Sequence, residues 1–209
     1  MTGKIIYFGD PMCSWCYGFA PQITSLKDSY ADSFDFQLVM GGLRPGGTET
    51  IGQIGDFLRH HWEDVFKRSG QPFSYEVLKQ NNFVYDTEPP CRAVVTIRHI
   101  NPSLEFEFYK SVQEAFYTKG VNTNDTETYL SLVSDLDIDT KDFIDGFSSI
   151  EMKEKTLEDF SFSQHLGVRG FPSTVLEYNE QLYLLANGYA ESDYIKGNIE
   201  KILNSEKLS

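Results

Sequence analysis

No run of apolar residues in the 209-residue chain approaches the ~18 that a membrane-spanning helix requires, which removes a helical membrane anchor from the readings open to it. Basic charge is short as well: 18 Lys and Arg stand against 31 Asp and Glu, a formal net charge of −13. Phosphate recognition needs clustered cations, so this balance argues against a nucleic-acid partner. The acidic residues are scattered along the chain and read as a solvated surface. The first residues do not read as a secretory leader either. Only Ile5-Ile6-Tyr7-Phe8 follow the first lysine before Gly9-Asp10, shorter than the roughly 7–15 apolar residues of a signal peptide core. The expected location is the cytoplasm, unless a leader has been removed. Cysteine is scarce: Cys13, Cys16 and Cys91 are too few for a structural disulfide framework.

What the chain does have is a hydrophobic fraction of 40% and an aromatic fraction of 14%, enough to build a core. Residues 4–8 read as a short buried strand and 13–29 as a helix with Phe19, Ile23 and Leu26 on one face, kinked at Pro21. Residues 33–40 alternate, Phe34, Phe36, Leu38 and Met40 against Asp35, Gln37 and Val39, and predict a strand ended by Gly41-Gly42. This β-α-β order begins a parallel sheet. The middle of the chain follows helical spacing: Ile51 through Phe66 with Gly70 as a stop, a helix from about Pro90, another over 102–120, two short ones at 126–136 and 140–147, and one capped by Ser148 and Glu151. Strands return at Ser173–Tyr178 and 181–185, joined by an Asn179-Glu180 turn, before a last helix carrying Tyr194, Ile195, Ile199, Ile202 and Leu203. The expectation is one α/β domain, residues 1–46 and 150–209, interrupted by a helical domain at 47–149.

The chemistry centres on Cys13-Ser14-Trp15-Cys16, placed between a predicted strand and a predicted helix. A helix N-terminus offers unpaired N–H groups and the positive end of the macrodipole, both favourable to a thiolate. The i, i+3 spacing lets the sulfurs bridge. Cys13 would then attack a disulfide and Cys16 resolve the mixed disulfide. A CxxC is also half of a zinc site, but zinc needs two further ligands. Cys91 and His60, His61, His99 and His165 offer no matching spacing, so no metal is expected. Cys91 itself reads as a small buried hydrophobe. The second element is Gly167-Val168-Arg169-Gly170-Phe171-Pro172-Ser173, directly before the hairpin. A cis bond at Pro172 would leave the Phe171 backbone free to pair with an extended substrate. Gly170, Phe171, Trp15 and Ser14 are the expected substrate-binding residues.

These features together resemble the DsbA-like branch of the thioredoxin superfamily, in which a helical domain interrupts a thioredoxin fold. The residues that carry the resemblance are Asp10-Pro11-Met12-Cys13-Ser14-Trp15-Cys16, Pro21 and the 167–172 loop. Gly41-Gly42-Leu43-Arg44-Pro45-Gly46-Gly47 and Glu88-Pro89-Pro90-Cys91-Arg92-Ala93 are similar to the FrnE-type cytoplasmic proteins, regarded as protein-disulfide isomerases. The resemblance implies dithiol–disulfide oxidoreductase or isomerase activity on protein or glutathione disulfides, with no resident cofactor and glutathione as a redox partner. It also exposes two departures. Tyr7 stands where the family carries a buried acid six positions before the first cysteine, which makes Asp10 the substitute proton acceptor. Phe171 is larger than the family's usual residue before the cis-proline. A carboxylate at Asp10 disfavours a neighbouring thiolate and is expected to make the couple more reducing than a strong oxidant's. Two other functions stay open at this point. One is glutathione-dependent isomerase or transferase chemistry on a small molecule, as in the related 2-hydroxychromene-2-carboxylate isomerases and kappa-class transferases. The other is a non-enzymatic redox sensor or holdase.

Overall fold

A computed structural model describes residues 3–206. Its sheet has the order β2-β1-β3-β4. The central strand β1 (Gly3–Gly9) pairs in parallel with β2 (Phe34–Met40), through the crossover helix α1 (Ser14–Tyr30), as the β-α-β pattern predicts. On its other side β1 runs antiparallel to β3 (Ser173–Tyr178), with Phe8 opposite Ser173 and Lys4 opposite Glu177. β4 (Gln181–Asn187) adds an antiparallel edge. The apolar run of β1 reflects burial on both faces. Ile5 and Tyr7 enter the main core, whereas Ile6 and Phe8 join Val39 and Val175 in a smaller cluster that also holds Phe171.

Six helices lie between β2 and β3: α2 (Ile51–Ser69), α3 (Glu88–Ile100), α4 (Glu105–Tyr117), α5 (Thr126–Ser134), α6 (Thr140–Ser148) and α7 (Ile150–His165). Their ends follow local chemistry. Thr50 and Gln53 form a capping box at the start of α2, and Gly70, at φ 73°, closes it with its N–H on the Phe66 carbonyl. α3 begins two residues before the expected Pro90, because Pro89 and Pro90 both fit a first turn whose N–H groups have no helical partner. The stretch expected as one helix from Pro102 divides into a 3₁₀ turn, Pro102–Leu104, and α4. The cap of α7 is Ser149, not Ser148: its side chain accepts from the Met152 N–H, and Ser148 is the last residue of α6. Cys91, Val94, Phe108 and Val112, from α3 and α4, share the main core with Ile5 and Tyr7 of β1 and with Phe19 and Leu26 of α1. Helix α8 (Ser192–Glu206) adds Ile195 and Ile199 to it.

One polar cluster fastens the C-terminal end of β2. Asp159 of α7 accepts from the Met40 N–H and holds Arg98 of α3, which also reaches Glu105 and the Leu38 carbonyl. Met40 is thereby fixed just before the Gly41-Gly42 turn that borders the cysteine pair.

The Asn179-Glu180 turn has both residues at positive φ, 51° and 63°, the geometry of a tight two-residue hairpin. Glu180 carries a Cβ in a conformation that costs an L-residue about 1 kcal/mol. Glu180→Gly should therefore stabilise the protein by about that amount, read as a rise of roughly 2–4 °C in a thermal melt.

Candidate active site

Cys13 is the N-cap of α1, with an extended backbone (φ −84°, ψ 113°) and its N–H on the Asp10 carbonyl at 3.1 Å. Ser14 is the first helical residue, so the cysteine sits at the mouth of the helix where unpaired N–H groups collect. The β1–β3 register brings the second element to the same place. With Phe8 opposite Ser173, the residue beyond β1 and the residue before β3 continue side by side, so Phe171-Pro172 lies beside the cysteine turn. The Phe171–Pro172 bond is cis, and the Cys13 thiol donates to the Phe171 carbonyl at 3.4 Å. Cys13, Phe171 and Pro172, about 160 residues apart in the chain, meet as the motif pairing anticipates. Gly170 is held by the same loop: Ser173 Oγ donates to its carbonyl at 2.8 Å, while the Gly188 N–H closes on the Pro172 carbonyl at 2.7 Å.

The two cysteines differ in exposure. Cys13 is 5% accessible and Cys16, one turn further into α1, is fully buried. Both are free thiols. Burial, and after it the neighbouring Cys13, push the Cys16 thiol well above its ordinary pKa. Trp15 points away from the core, its ring edge-on to His61 of α2 at 6.0 Å and 5.9 Å from the Tyr189 ring, so it borders the site. Ser14 is buried beside it. On the opposite rim the Phe171 ring lies on the backbone of Gly41: a Cβ there would come within 2.2 Å of it, so only glycine leaves the ring its place.

Asp10 is completely buried. Its carboxyl oxygens accept from the Met12 N–H at 2.9 Å and the Leu43 N–H at 2.7 Å, and Cys91 Sγ donates to it at 3.4 Å. Burial raises its pKa and these donors work against that rise. Cys91 is buried in the core as expected, with an addition: its thiol is one of the groups that satisfy Asp10. Burial and then the Asp10 charge raise the Cys91 pKa well above the usual thiol range, which keeps it a thiol. Arg92 pairs with Glu88 and reaches the Phe147 carbonyl, and Arg44 pairs with Glu49, so both arginines have partners inside the protein.

A set of tyrosines around the pair was not anticipated. Tyr109 of α4 places its hydroxyl 3.1 Å from that of Tyr7 and 3.2 Å from the Asp10 carbonyl. Tyr85 donates to the Met12 carbonyl. Among the described residues no three His, Cys, Asp or Glu side chains gather as a metal-holding group, and no helix is long and apolar enough to cross a membrane.

Asp10 serves two backbone donors at once. Asp10→Asn turns an amide N–H₂ toward one of them and leaves that buried group without an acceptor, a cost of about 1–3 kcal/mol. Chemical denaturation should show a correspondingly lower midpoint; an unchanged midpoint would contradict the role given to Asp10 in holding the turn.

Comparison with known proteins bears on the family and the fold. A family model described as Thioredoxin matches residues 7–196. A candidate protein disulfide isomerase from Nitrosomonas europaea is 33% identical and superposes with a TM-score of 0.90, covering 98% of this chain and 99% of its own. The cytosolic disulfide reductase DsbM from Pseudomonas aeruginosa, 24% identical, superposes at 0.80 over 98% of this chain and 99% of its own, and has also been solved with GSH. Among curated sequences the ClpXP adapter protein SpxH of Halalkalibacterium halodurans is 21% identical over 145 residues, 67% of this chain and 47% of that protein. The chain thus matches about half the length of that curated relative.

Proposed function

The chain belongs to the thioredoxin family, and on that footing we propose that it is a cytoplasmic dithiol–disulfide oxidoreductase acting on protein and glutathione disulfides. The observation that carries this reading is the placement of the Cys13 thiol. It caps α1 and lies 3.4 Å from the Phe171 carbonyl beside Pro172, with Cys16 buried one turn behind it. Cys13 is the nucleophile. Its sulfur attacks one sulfur of the substrate disulfide, and the other leaves as a thiolate that takes up a proton. Cys16 then attacks Cys13 Sγ, forms the internal disulfide and releases the second substrate thiol, so the substrate is reduced and the pair oxidised. Recycling takes two electrons from two further thiols, which leave joined as a disulfide, and two glutathione molecules are the proposed source. The DsbM structure holding GSH supports that choice. No resident cofactor enters these steps.

Phe171, Gly170, Trp15 and Ser14 are the proposed substrate contacts. The Phe171 carbonyl, now taken by the Cys13 thiol, becomes available to a substrate N–H once that sulfur is engaged in a mixed disulfide. Asp10 belongs to the site as the residue that holds the turn before Cys13.

Insulin reduction and glutathione conjugation to an electrophile, assayed side by side, test the reading. Wild-type protein should reduce insulin, Cys13→Ser should abolish turnover, and Cys16→Ser should trap mixed disulfides and lower steady-state activity at least ~100-fold, as expected when a resolving thiolate is lost. Conjugation activity that survives Cys16→Ser unchanged, without insulin reduction, would assign the site to glutathione-transferase chemistry instead.

A further inference from the structure

Helices α1 and α2 advance in the same direction along their line of contact. Trp15 meets His61, and one turn further on Gly18 meets Val65 and Ser69. A Cβ at Gly18 would fall 2.7 Å from Val65 Cγ1 and 3.2 Å from Ser69 Oγ, so glycine is what lets the helices close here. That closure decides which residue of α2 stands at the mouth of α1. Phe57, one turn before His61, lies about 6 Å further back along α2. Cys13 is only two residues, about 3 Å, before Trp15. Phe57 therefore extends past the end of α1 at which the nucleophile lies.

The rings form a continuous row. Trp15 lies edge to face with His61 at 6.0 Å, and His61 stacks on Phe57 at 5.8 Å with the planes 13° apart. Leu58 and Trp62 turn the neighbouring face of α2 into the core, and Phe57 is left 63% exposed. A lone exposed phenylalanine is ordinary; this one ends a row that begins two residues from the nucleophile. The row carries no charge. Burial lowers the His61 pKa, with Asp64 opposing it, so the imidazole is neutral at neutral pH. Two arginines of α2 are turned to other partners. Arg59 lies over the Tyr75 ring at 4.7 Å, and Arg68 pairs with Glu191 at 2.5 Å and lies over the Tyr189 ring at 4.7 Å.

We propose that Phe57 and His61, continuing from Trp15, dock an uncharged aromatic or aliphatic side chain of a polypeptide substrate, two or three residues from its disulfide cysteine. The surface is continuous with the site at Cys13 and lies on the rim opposite Phe171, so it receives the part of the substrate chain that the Phe171 loop does not hold. Neighbouring rings of the row are 6.0 and 5.8 Å apart. A chain extended from Cys13 at about 3.3 Å per residue reaches the middle of the row within two or three residues. Stacking on these rings rewards an apolar partner, and a charged one finds nothing there to replace its hydration. Glutathione, charged at both ends, reacts at Cys13 without using the row. Phe57 and His61 thus set preference among disulfides and take no part in the exchange itself.

The inference rests on the dithiol reading, and one assay keeps the two apart. Reduced protein is mixed with capped peptide homodisulfides that differ only in carrying Phe, Leu or Ser two or three residues from the cysteine, and separately with oxidised glutathione. Acid quench and mass spectrometry follow oxidation of the Cys13–Cys16 pair over a range of substrate concentrations. Wild-type protein should favour the Phe peptide over the Ser peptide roughly five- to tenfold, the size of one aromatic contact. Phe57→Ser should remove most of that preference by raising the half-saturating concentration of the Phe peptide, with its limiting rate unchanged. The Ser peptide and oxidised glutathione should react as with wild type, and Phe57→Leu should keep much of the preference. His61→Ala should act in the same direction by less, and it carries the test if Phe57→Ser does not fold. Equal wild-type rates on the Phe and Ser peptides overturn the inference, as does a Phe57→Ser variant that keeps the preference or slows every substrate equally. A loss confined to oxidised glutathione gives the row to glutathione and overturns it too. Wild-type protein that none of these disulfides oxidises overturns the dithiol reading, and this inference with it.

Discussion

The pairing of β1 with β3 is the constraint from which the site follows. A parallel β1–β2 pair and its crossover helix would by themselves give a cysteine pair at a helix mouth with nothing facing it. Setting Phe8 opposite Ser173 carries Phe171-Pro172 to the end of β1, where the chain turns through Asp10 into α1. A two-residue slip along this ladder would move the loop by about 7 Å and separate the Cys13 thiol from the Phe171 carbonyl. The register is guarded by burial on both faces of β1, because a one-residue slip would exchange Ile5 and Tyr7 with Ile6 and Phe8 between two cores of different shape.

The same burial sets the electrostatics. The groups that act most strongly on Cys16 are a thiol and a carboxyl-bearing residue, and no cation is among them. Asp10, Cys91, Tyr7 and Tyr109 form a polar interior behind the active-site turn in which donors and acceptors are matched over short distances. Buried polar groups of this kind are costly unless paired, and here each pairing also fixes a piece of the turn. Asp10 ties Met12 to Leu43, Tyr85 holds the Met12 carbonyl, and Tyr109 holds the Asp10 carbonyl. The rigidity of the site comes from helices α3 and α4 reaching under it, which gives the helical segment a part in the chemistry beyond covering the sheet.

Much of this is legible in the residues alone. The strands, the crossover and most of the helices follow from period and punctuation. Asn179-Glu180 marks the hairpin, Gly70 the end of α2, and the CxxC with the distant Gly-Phe-Pro loop marks the site and its thioredoxin-like frame. The missing parts are those that depend on tertiary placement. Tyr109 falls beside Phe108 and Val112 on the apolar face of α4, and nothing in its spacing separates a hydroxyl aimed at Tyr7 from an ordinary core ring. Asp10 stands three residues before Cys13 and invites the role of proton acceptor, but the direction of its carboxyl is set by the Leu43 and Met12 N–H groups, which no local pattern displays. Cys91 looked apolar because it lies in an apolar helix; its contact with Asp10 spans 81 positions. The α6–α7 cap moved by one residue because Ser148 and Ser149 are equivalent as caps until the end of α6 is known.

The account's central claim is that Cys13 and Cys16 form a redox couple whose buried resolving thiol, with no cation among its strongest neighbours, gives the dithiol form little charge stabilisation. Couples whose reduced form is not stabilised in that way are reducing. Equilibrating the protein with glutathione buffers and reading the Cys13–Cys16 disulfide fraction measures this directly. The predicted potential lies near or below that of the glutaredoxins, at about −200 mV or lower, toward thioredoxin. A value close to −120 mV, the potential of a strong oxidant, or a pair that never closes into an internal disulfide, would contradict it.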